Sequence, residues 1–173
     1  MAFTPELVKA LTDQTNAEFH SAYLYLGMAG DAVKINMPGV AHWMRVQVQE
    51  ELTHAMKILD FVHDRDAEMV LTAVEAPPAQ GWGSPLALFQ AALDHERLMT
   101  ERLNNVMDLA IKERDHATNT LMQWFITEQV EEEASVSDII QKFKLVGKDG
   151  SGLYMIDTEL ATRLPVVTVN APV

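Results

Sequence analysis

Glutamates and a histidine recur in this sequence at matched intervals. Glu18 lies 33 residues before Glu51, and His54 follows Glu51 by three residues. A shift of 78 residues superimposes these positions on a second set, Glu96, Gln129 and Glu132. Carboxylate oxygens and imidazole nitrogens together suit iron or manganese, and zinc also binds such ligand sets. The repeated interval indicates two related helical hairpins whose polar groups meet at one place.

Helix-start and helix-stop signals divide the chain into five helices. Thr4 and Ser84 each precede a proline, which is the typical order of a cap and a first helical residue. Asp115 can cap a fourth helix, and Gly147 provides its C-terminal stop. The predicted helices cover about residues 5–34, 40–65, 84–114, 115–146 and 152–163. Residues 36–39 predict a tight turn, and strand signals are nearly absent.

The lengths of the connections predict how the helices are arranged. Short links join the first helix to the second and the third to the fourth, so each pair is expected to be antiparallel. The link over residues 66–84 contains 19 residues, and it can span roughly 60 Å at ~3.3 Å per residue. A helix of about 28 residues is only about 42 Å long. The link can therefore cross the whole bundle and start the third helix parallel to the second.

Composition and charge fit one folded domain over residues 1–173, with a bundle over about 5–146, a short fifth helix over about 152–163 and a tail over 164–173. The net charge of −12 argues against a nucleic acid partner. The chain has no cysteine, which excludes disulfides, thiolate chemistry and iron–sulfur clusters. No signal peptide and no membrane-spanning stretch is visible, so we predict a cytoplasmic protein with no membrane partner.

Each long helix carries an apolar stripe that a glutamate interrupts near mid-helix. One interpretation places these glutamates on solvated faces, since glutamate is rarely fully buried. The four interruptions, however, fall at matched depth when counted from the hairpin turns. Burying four unpaired carboxylates at several kcal/mol each would consume a typical domain stability of about 5–15 kcal/mol. Because the middle of the stripes contains no lysine or arginine, the sequence predicts that a metal supplies the compensating charge.

Five segments then carry a resemblance that covers nearly the whole chain. They are NAEFHSAYLY around Glu18, QEELTHAM around Glu51, DHER around Glu96, LMQWFITEQVEEE around Gln129 and GLYMIDTEL near the C-terminus. In this ordered set the chain resembles a non-haem ferritin of the bacterial and archaeal type. The fold that the resemblance implies is all-α: a ferritin-like four-helix bundle with one long crossover loop and a short fifth C-terminal helix.

The resemblance also implies roles for the repeated residues. Glu18 and His54 would hold one iron, and Glu51 would bridge to a second iron. Glu96 and Glu132 would bind that second iron. The resemblance counts two further residues among the catalytic set, Gln129 as a hydrogen-bonding group or weak ligand and Tyr25 beside the metals.

A third iron site near this pair is also implied. Glu50, Glu128 and Glu131 match its ligands, and Glu132 could be shared. Trp124 matches, with Tyr25, the aromatic residues beside the diiron centre. For both aromatic residues core packing with a satisfied polar tip is the alternative interpretation.

Two differences separate the chain from bacterioferritins. Bacterioferritins have a second Glu-x-x-His where this chain has Gln129 and Glu132, and Leu52 stands where they have a haem-binding methionine. No haem is therefore expected. The remaining histidines are interpreted as surface or structural residues: His20, His42, His63, His95 and His116.

The implied function is iron storage with ferroxidase activity, in which Fe(II) is oxidised by O2 or H2O2 and stored as an Fe(III) mineral. The implied partner is the chain itself, in a homo-oligomeric shell of about 24 subunits. The fifth helix would make contacts around a shell axis through Leu153, Ile156 and Leu160, with Asp157 and Glu159 facing water or a pore. Two other functions remain open: a soluble diiron oxidase or peroxidase that stores nothing, and a helical scaffold with a structural metal.

Overall fold

The computed structural model describes residues 3–77 and 81–165, and it contains five helices and no strand within those residues. The helices are α1 (Pro5–Lys34), α2 (Pro38–His63), α3 (Pro85–Glu113), α4 (His116–Val146) and α5 (Gly150–Leu160). The predicted all-α four-helix bundle with a short fifth helix is confirmed. Most of the predicted tail 164–173 lies outside the described residues. None of the described helices is both long and apolar enough to cross a membrane.

The predicted caps are present at three helix starts. The side chains of Thr4, Ser84 and Asp115 accept hydrogen bonds from the backbone N–H groups at the starts of α1, α3 and α4. Two helix starts differ from the predicted ones. Pro38 begins α2 directly, so the turn is shorter than expected. α5 begins at Gly150, two residues before its predicted start, and Asp149 is its cap.

The long connection crosses the bundle along α1, as its length predicted. Asn16 donates to the carbonyl of Ala73 at 3.2 Å, and further along the helix the Asp31 carboxylate accepts from the backbone N–H of Gly81 at 2.6 Å. The connection thus follows α1 from its first half to its last turns. This path places the start of α3 at the end of the bundle where α2 also starts, so α2 and α3 are parallel.

The core consists of two apolar clusters. One surrounds Met28, Met44, Phe89 and Phe143, and the other surrounds Leu11, Ile58, Leu103 and Phe125. In each of the four long helices the interrupting glutamate lies between residues of the two clusters. The bundle therefore encloses a polar layer between two apolar halves.

α5 docks on α2 and α4, and the residues that it buries differ from those predicted. Ile156 and Leu160 are buried in the chain's own core instead of forming a free apolar face. The prediction that Asp157 faces water or a pore was wrong, because its side chain is 9% exposed and accepts from the backbone N–H of Val40 at 2.9 Å. α2 has no side-chain cap of its own. Asp157 supplies that missing cap from another helix.

A partly buried ion pair joins the end of α2 to the start of α4. Arg65 donates to both carboxylate oxygens of Asp115 at 2.7 Å. This hydrogen bonding lowers the pKa of Asp115 from 3.8 to about 2. Because the folded-state pKa is depressed, the stabilisation is complete above about pH 4 and is lost as the pH falls through about 2.

We therefore expect Asp115→Asn to lower the free energy of unfolding by about 2 kcal/mol at neutral pH and to weaken its acid dependence below pH 4. Denaturant unfolding across that pH range measures both effects. Asp13→Asn is the matched control, since Asp13 pairs with Lys9 at 2.5 Å on the exposed surface, where such pairs contribute about 0–1 kcal/mol. Equal losses in the two variants would contradict the assignment.

Candidate metal centre

Glu18, Glu51 and His54 come together in the polar layer between α1 and α2. One potential ligand atom from each lies within 4.8 Å of the other two, and within residues 3–77 and 81–165 no other three acids or histidines meet this criterion. All three side chains are buried, with 2%, 3% and 6% of their surface exposed. Two carboxylates and an imidazole at this separation form a possible site for a metal ion.

Two glutamines orient these carboxylates. Gln14 donates to Glu18 at 2.8 Å, and Gln47 donates to Glu51 at 3.0 Å. Neither glutamine was predicted as a site residue. The signal was present, however, because each lies four residues before its glutamate and so on the same helix face.

The second predicted set lies on the α3 and α4 side of the same layer. Glu96 is 1% exposed, and the Tyr25 hydroxyl donates to its carboxylate. Gln129 donates to the same carboxylate at 3.2 Å and to the Thr100 hydroxyl at 3.3 Å. Glu132 is buried at 8% exposure. Glu96 and Glu132 thus lie outside the close group of three, but they are near enough to raise the pKa of Glu51 in that group.

Burial and mutual repulsion make these acids hard to ionise in the absence of a metal. Desolvation raises the pKa of Glu18 from 4.5 to about 7, and desolvation with repulsion by Glu132 raises that of Glu96 to about 8. The pKa of Glu51 is raised well above its usual range by burial and by the neighbouring Glu96 and Glu18 carboxylates. A cation of charge two or three would reverse each of these shifts.

His54 shows the opposite shift, which suits a metal ligand. Desolvation, assisted by the nearby Lys57 ammonium, lowers its pKa to about 4. The imidazole is therefore neutral at pH 7 and keeps a lone pair for coordination. Its ring packs edge-on against Trp124 and Phe125, with ring centroids 5.5 and 5.7 Å apart.

The raised acid pKa values predict how the stability of the metal-free protein depends on pH. Stability from a group with a raised folded-state pKa is complete below its unfolded value, here 4.5, and is lost as the pH rises through about 7 for Glu18. We expect the free energy of unfolding of metal-free protein to fall by at least about 2 kcal/mol between pH 5 and pH 8.

Denaturant unfolding of metal-free protein at pH 5 and pH 8 measures this loss. Glu18→Gln should flatten the dependence, whereas Glu6→Gln, on an exposed position of the same helix, should leave it unchanged. The interpretation fails if wild-type protein and Glu18→Gln lose the same stability over this range.

The residues of the predicted third site lie beside this centre but do not form a close cluster. Glu50 is hydrogen-bonded to the Arg163 guanidinium, and burial raises its pKa to about 7 despite that cation. Glu128 is half-buried, and burial with the neighbouring Glu131 raises its pKa. Glu131 itself is exposed. Arg163 was not predicted as a site residue.

The family description "Ferritin-like domain" matches residues 8–146 of this chain. The bacterial non-heme ferritin of Escherichia coli is 37% identical over 158 residues, which covers 91% of this chain and 95% of the relative. That of Staphylococcus saprophyticus is 38% identical over 91% of this chain and 94% of the relative. An open pore ferritin from the hyperthermophilic archaeon Archaeoglobus fulgidus has a TM-score of 0.92 at 47% identity, over 94% of this chain and 100% of that structure.

A four-helix bundle with a buried layer of carboxylates, matched over most of its length by ferritins from bacteria and an archaeon, defines the class of this protein. The chain belongs to the ferritin family.

Proposed function

We propose that this protein stores iron and that it oxidises Fe(II) with O2 or H2O2 at a two-iron centre inside each subunit. The observation that carries the proposal is the buried layer that contains Glu18, Glu51, Glu96, Glu132 and the neutral His54. Burial, together with repulsion by neighbouring carboxylates, raises the pKa of each of these acids and makes them hard to ionise without a metal. Their burial is best explained by a cation that the protein binds as substrate.

In this proposal Glu18 and His54 bind the first Fe(II), and Glu51 bridges both ions. The support is the 4.8 Å group that these three residues form. Glu96 and Glu132 bind the second Fe(II) from the opposite pair of helices. The neutral amide of Gln129 adds no charge to the second position, which would favour release of the product.

The chemistry requires two irons because reducing O2 to peroxide takes two electrons and each Fe(II) supplies one. The balanced step is 2 Fe²⁺ + O2 + 2 H⁺ → 2 Fe³⁺ + H2O2. Carboxylate oxygens favour the harder Fe(III) product. The Tyr25 hydroxyl, which donates to Glu96, holds that ligand in position through its hydrogen bond.

Storage requires a container, and we propose a homo-oligomeric shell of about 24 subunits. One of the similar structures is named an open pore ferritin, and a pore suits a hollow assembly of subunits. Within the described residues, Leu145, Tyr154 and Met155 are large apolar side chains that are 88%, 74% and 70% exposed at the α4–α5 end of the bundle. Contacts between copies of the chain would cover them.

The deciding experiment adds Fe(II) in air to metal-free protein and measures O2 consumption, particle mass and the iron retained per particle. The proposal expects a hollow particle near 24 subunits that consumes O2 and retains many more irons than it has sites. A small oligomer that consumes O2 but retains only bound metal would favour the diiron oxidase. A protein that binds metal without consuming O2 would favour the structural scaffold.

The third iron site is part of this proposal and has its own test. Changing both Glu128 and Glu131 to alanine should alter the ratio of iron to O2, or the rate of later turnovers, more than it alters the first turnover. Its physical basis is that Glu128 is half-buried and Glu131 is exposed, so that neither belongs to the buried layer proposed to hold the pair of irons. Crystals soaked at high iron that show only two iron peaks per subunit would count against it.

A further inference from the structure

Arg163, just beyond the end of α5, reaches back to the proposed iron centre. Its guanidinium donates to the Glu50 carboxylate and, at 2.8 Å, to the side-chain oxygen of Gln47. The guanidinium carbon lies 4.2 Å from the centroid of the Trp43 ring. The Arg163 side chain is 21% exposed and that of Glu50 is 10% exposed, so the pair is largely withdrawn from water.

The backbone of this segment also contacts α2. His42 hydrogen-bonds to the Arg163 carbonyl at 2.8 Å, and Asp157 caps the first turn of α2. The segment therefore lies against α2, and Arg163 contacts positions 43, 47 and 50 along one face of that helix. The docking of α5 on α2 therefore determines where the Arg163 guanidinium lies.

Arg163 supplies the positive charge closest to Glu50 in a group of acids. Glu132 and Glu128 act on Glu50 as repelling charges, whereas Arg163 acts as an attracting one. Arg163 also attracts Glu132, and Lys57 attracts Glu128. A guanidinium stays charged at any physiological pH. A divalent ion bound to Glu50 would therefore lie next to a fixed positive charge and would share its carboxylate.

We propose that Arg163 is a built-in competitor for the third iron site: it occupies Glu50 while that site is empty and must leave Glu50 when iron binds there. This inference rests on the proposed function and deepens it. It makes Arg163 a positioning residue that sets the affinity of the third site. It also connects occupancy of that site to the docking of α5, because the same segment carries Arg163 and Asp157.

The connection to the first two irons is weaker. Arg163 fixes the orientation of the Gln47 amide, whose nitrogen then donates to Glu51 at 3.0 Å. That influence passes through the neutral Gln47 amide, and the attraction of Arg163 for Glu132 acts on one proposed ligand of the second iron. Loss of Arg163 should therefore change the third site strongly and the other two only slightly.

The test is anaerobic titration calorimetry of full-length metal-free protein with Fe(II), which measures binding without any oxidation. Arg163→Gln should tighten the weakest class of sites about tenfold, because a charged hydrogen bond no longer competes. The tighter classes should change less than about threefold. Arg163→Lys, which keeps the positive charge, should stay closer to wild type. An unchanged or weakened third class in Arg163→Gln overturns the inference.

A second background separates competition from a purely structural role. In protein that already carries Glu50→Gln, adding Arg163→Gln should produce no further tightening. If Arg163 only anchored α5, the substitution would lower thermal stability in both backgrounds and leave Fe(II) binding unchanged. That result would also overturn the inference.

Wild-type crystals give a readout that needs no variant. With Zn(II) soaked into the third site, the Arg163 guanidinium should have moved away from Glu50, and metal-free crystals should retain the contact. A metal on Glu50 with Arg163 still bound to it refutes competition. If the wild-type protein binds no Fe(II), the proposed function is refuted as well. If the wild type binds iron normally and Arg163→Gln has the same Fe(II) affinity at the third site, only this inference is refuted.

Discussion

Glu51→Ala is expected to slow the rapid oxidation of Fe(II) in air by at least about tenfold, the lower end of what losing even an outer partner of a metal ligand costs. Glu51 lies at the centre of the layer: it belongs to the close group with Glu18 and His54, and it is repelled by Glu96 and Glu132 from the other side. A residue in that position could contact both of the proposed irons. Its loss should therefore disturb both, and His54→Ala should have a smaller effect because His54 is proposed to bind only one of them.

The measurement is stopped-flow absorbance after mixing Fe(II) with aerated metal-free protein. Asp60→Ala is the matched control, since Asp60 is an exposed carboxylate on the same helix. Circular dichroism should show that the helices remain. Because Glu51 is a buried acid with a raised pKa, removing it should not destabilise the metal-free fold at neutral pH by much. Wild-type rates in both Glu51→Ala and His54→Ala would rule out the proposed centre.

Gly39→Ala is expected to lower the free energy of unfolding by at least about 3 kcal/mol, the range for overpacking combined with lost core burial. A methyl group at this position would lie 1.7 Å from the backbone carbonyl oxygen of Asp157. The obstacle is backbone, so no side-chain rotation can relieve it. α5 must move away from α2, which breaks the Asp157 cap and exposes Ile156 and Leu160.

Thermal unfolding and hydrogen exchange of α5 measure the effect. Gly30→Ala is the control, because Gly30 is also helical but a methyl group there meets nothing within 4 Å. That variant should be stabilised by about 0.5–1 kcal/mol through reduced backbone entropy. If Gly39→Ala is as stable as wild type and α5 remains protected from exchange, the close approach of α2 and α5 is not required.

Most of the helical framework could be predicted from the sequence alone, because the signals that define helix starts and buried faces are local. Caps at Thr4, Ser84 and Asp115 act on the next few residues, and all three are present. Apolar periodicity predicted which face of each long helix is buried. The repeated interval of 33 residues worked because two helices joined by a short turn bring residues at equal depth together. The burial of Glu18, Glu51, His54, Glu96 and Glu132 followed from that geometry.

Side chains that act between distant helices were decided by the tertiary structure. Tyr25 donates to Glu96 across 71 positions of sequence, and Arg163 donates to Glu50 across 113. Asp157 was predicted to face water or a pore, but it caps α2 because α5 docks on that helix. α5 has only 11 residues, and a helix that short has several faces that could pack with similar burial. Its orientation depends on the close fit at Gly39, which no periodic pattern in the chain records. The docking of α5 therefore determined that the Arg163 guanidinium contacts Glu50 beside the proposed iron centre.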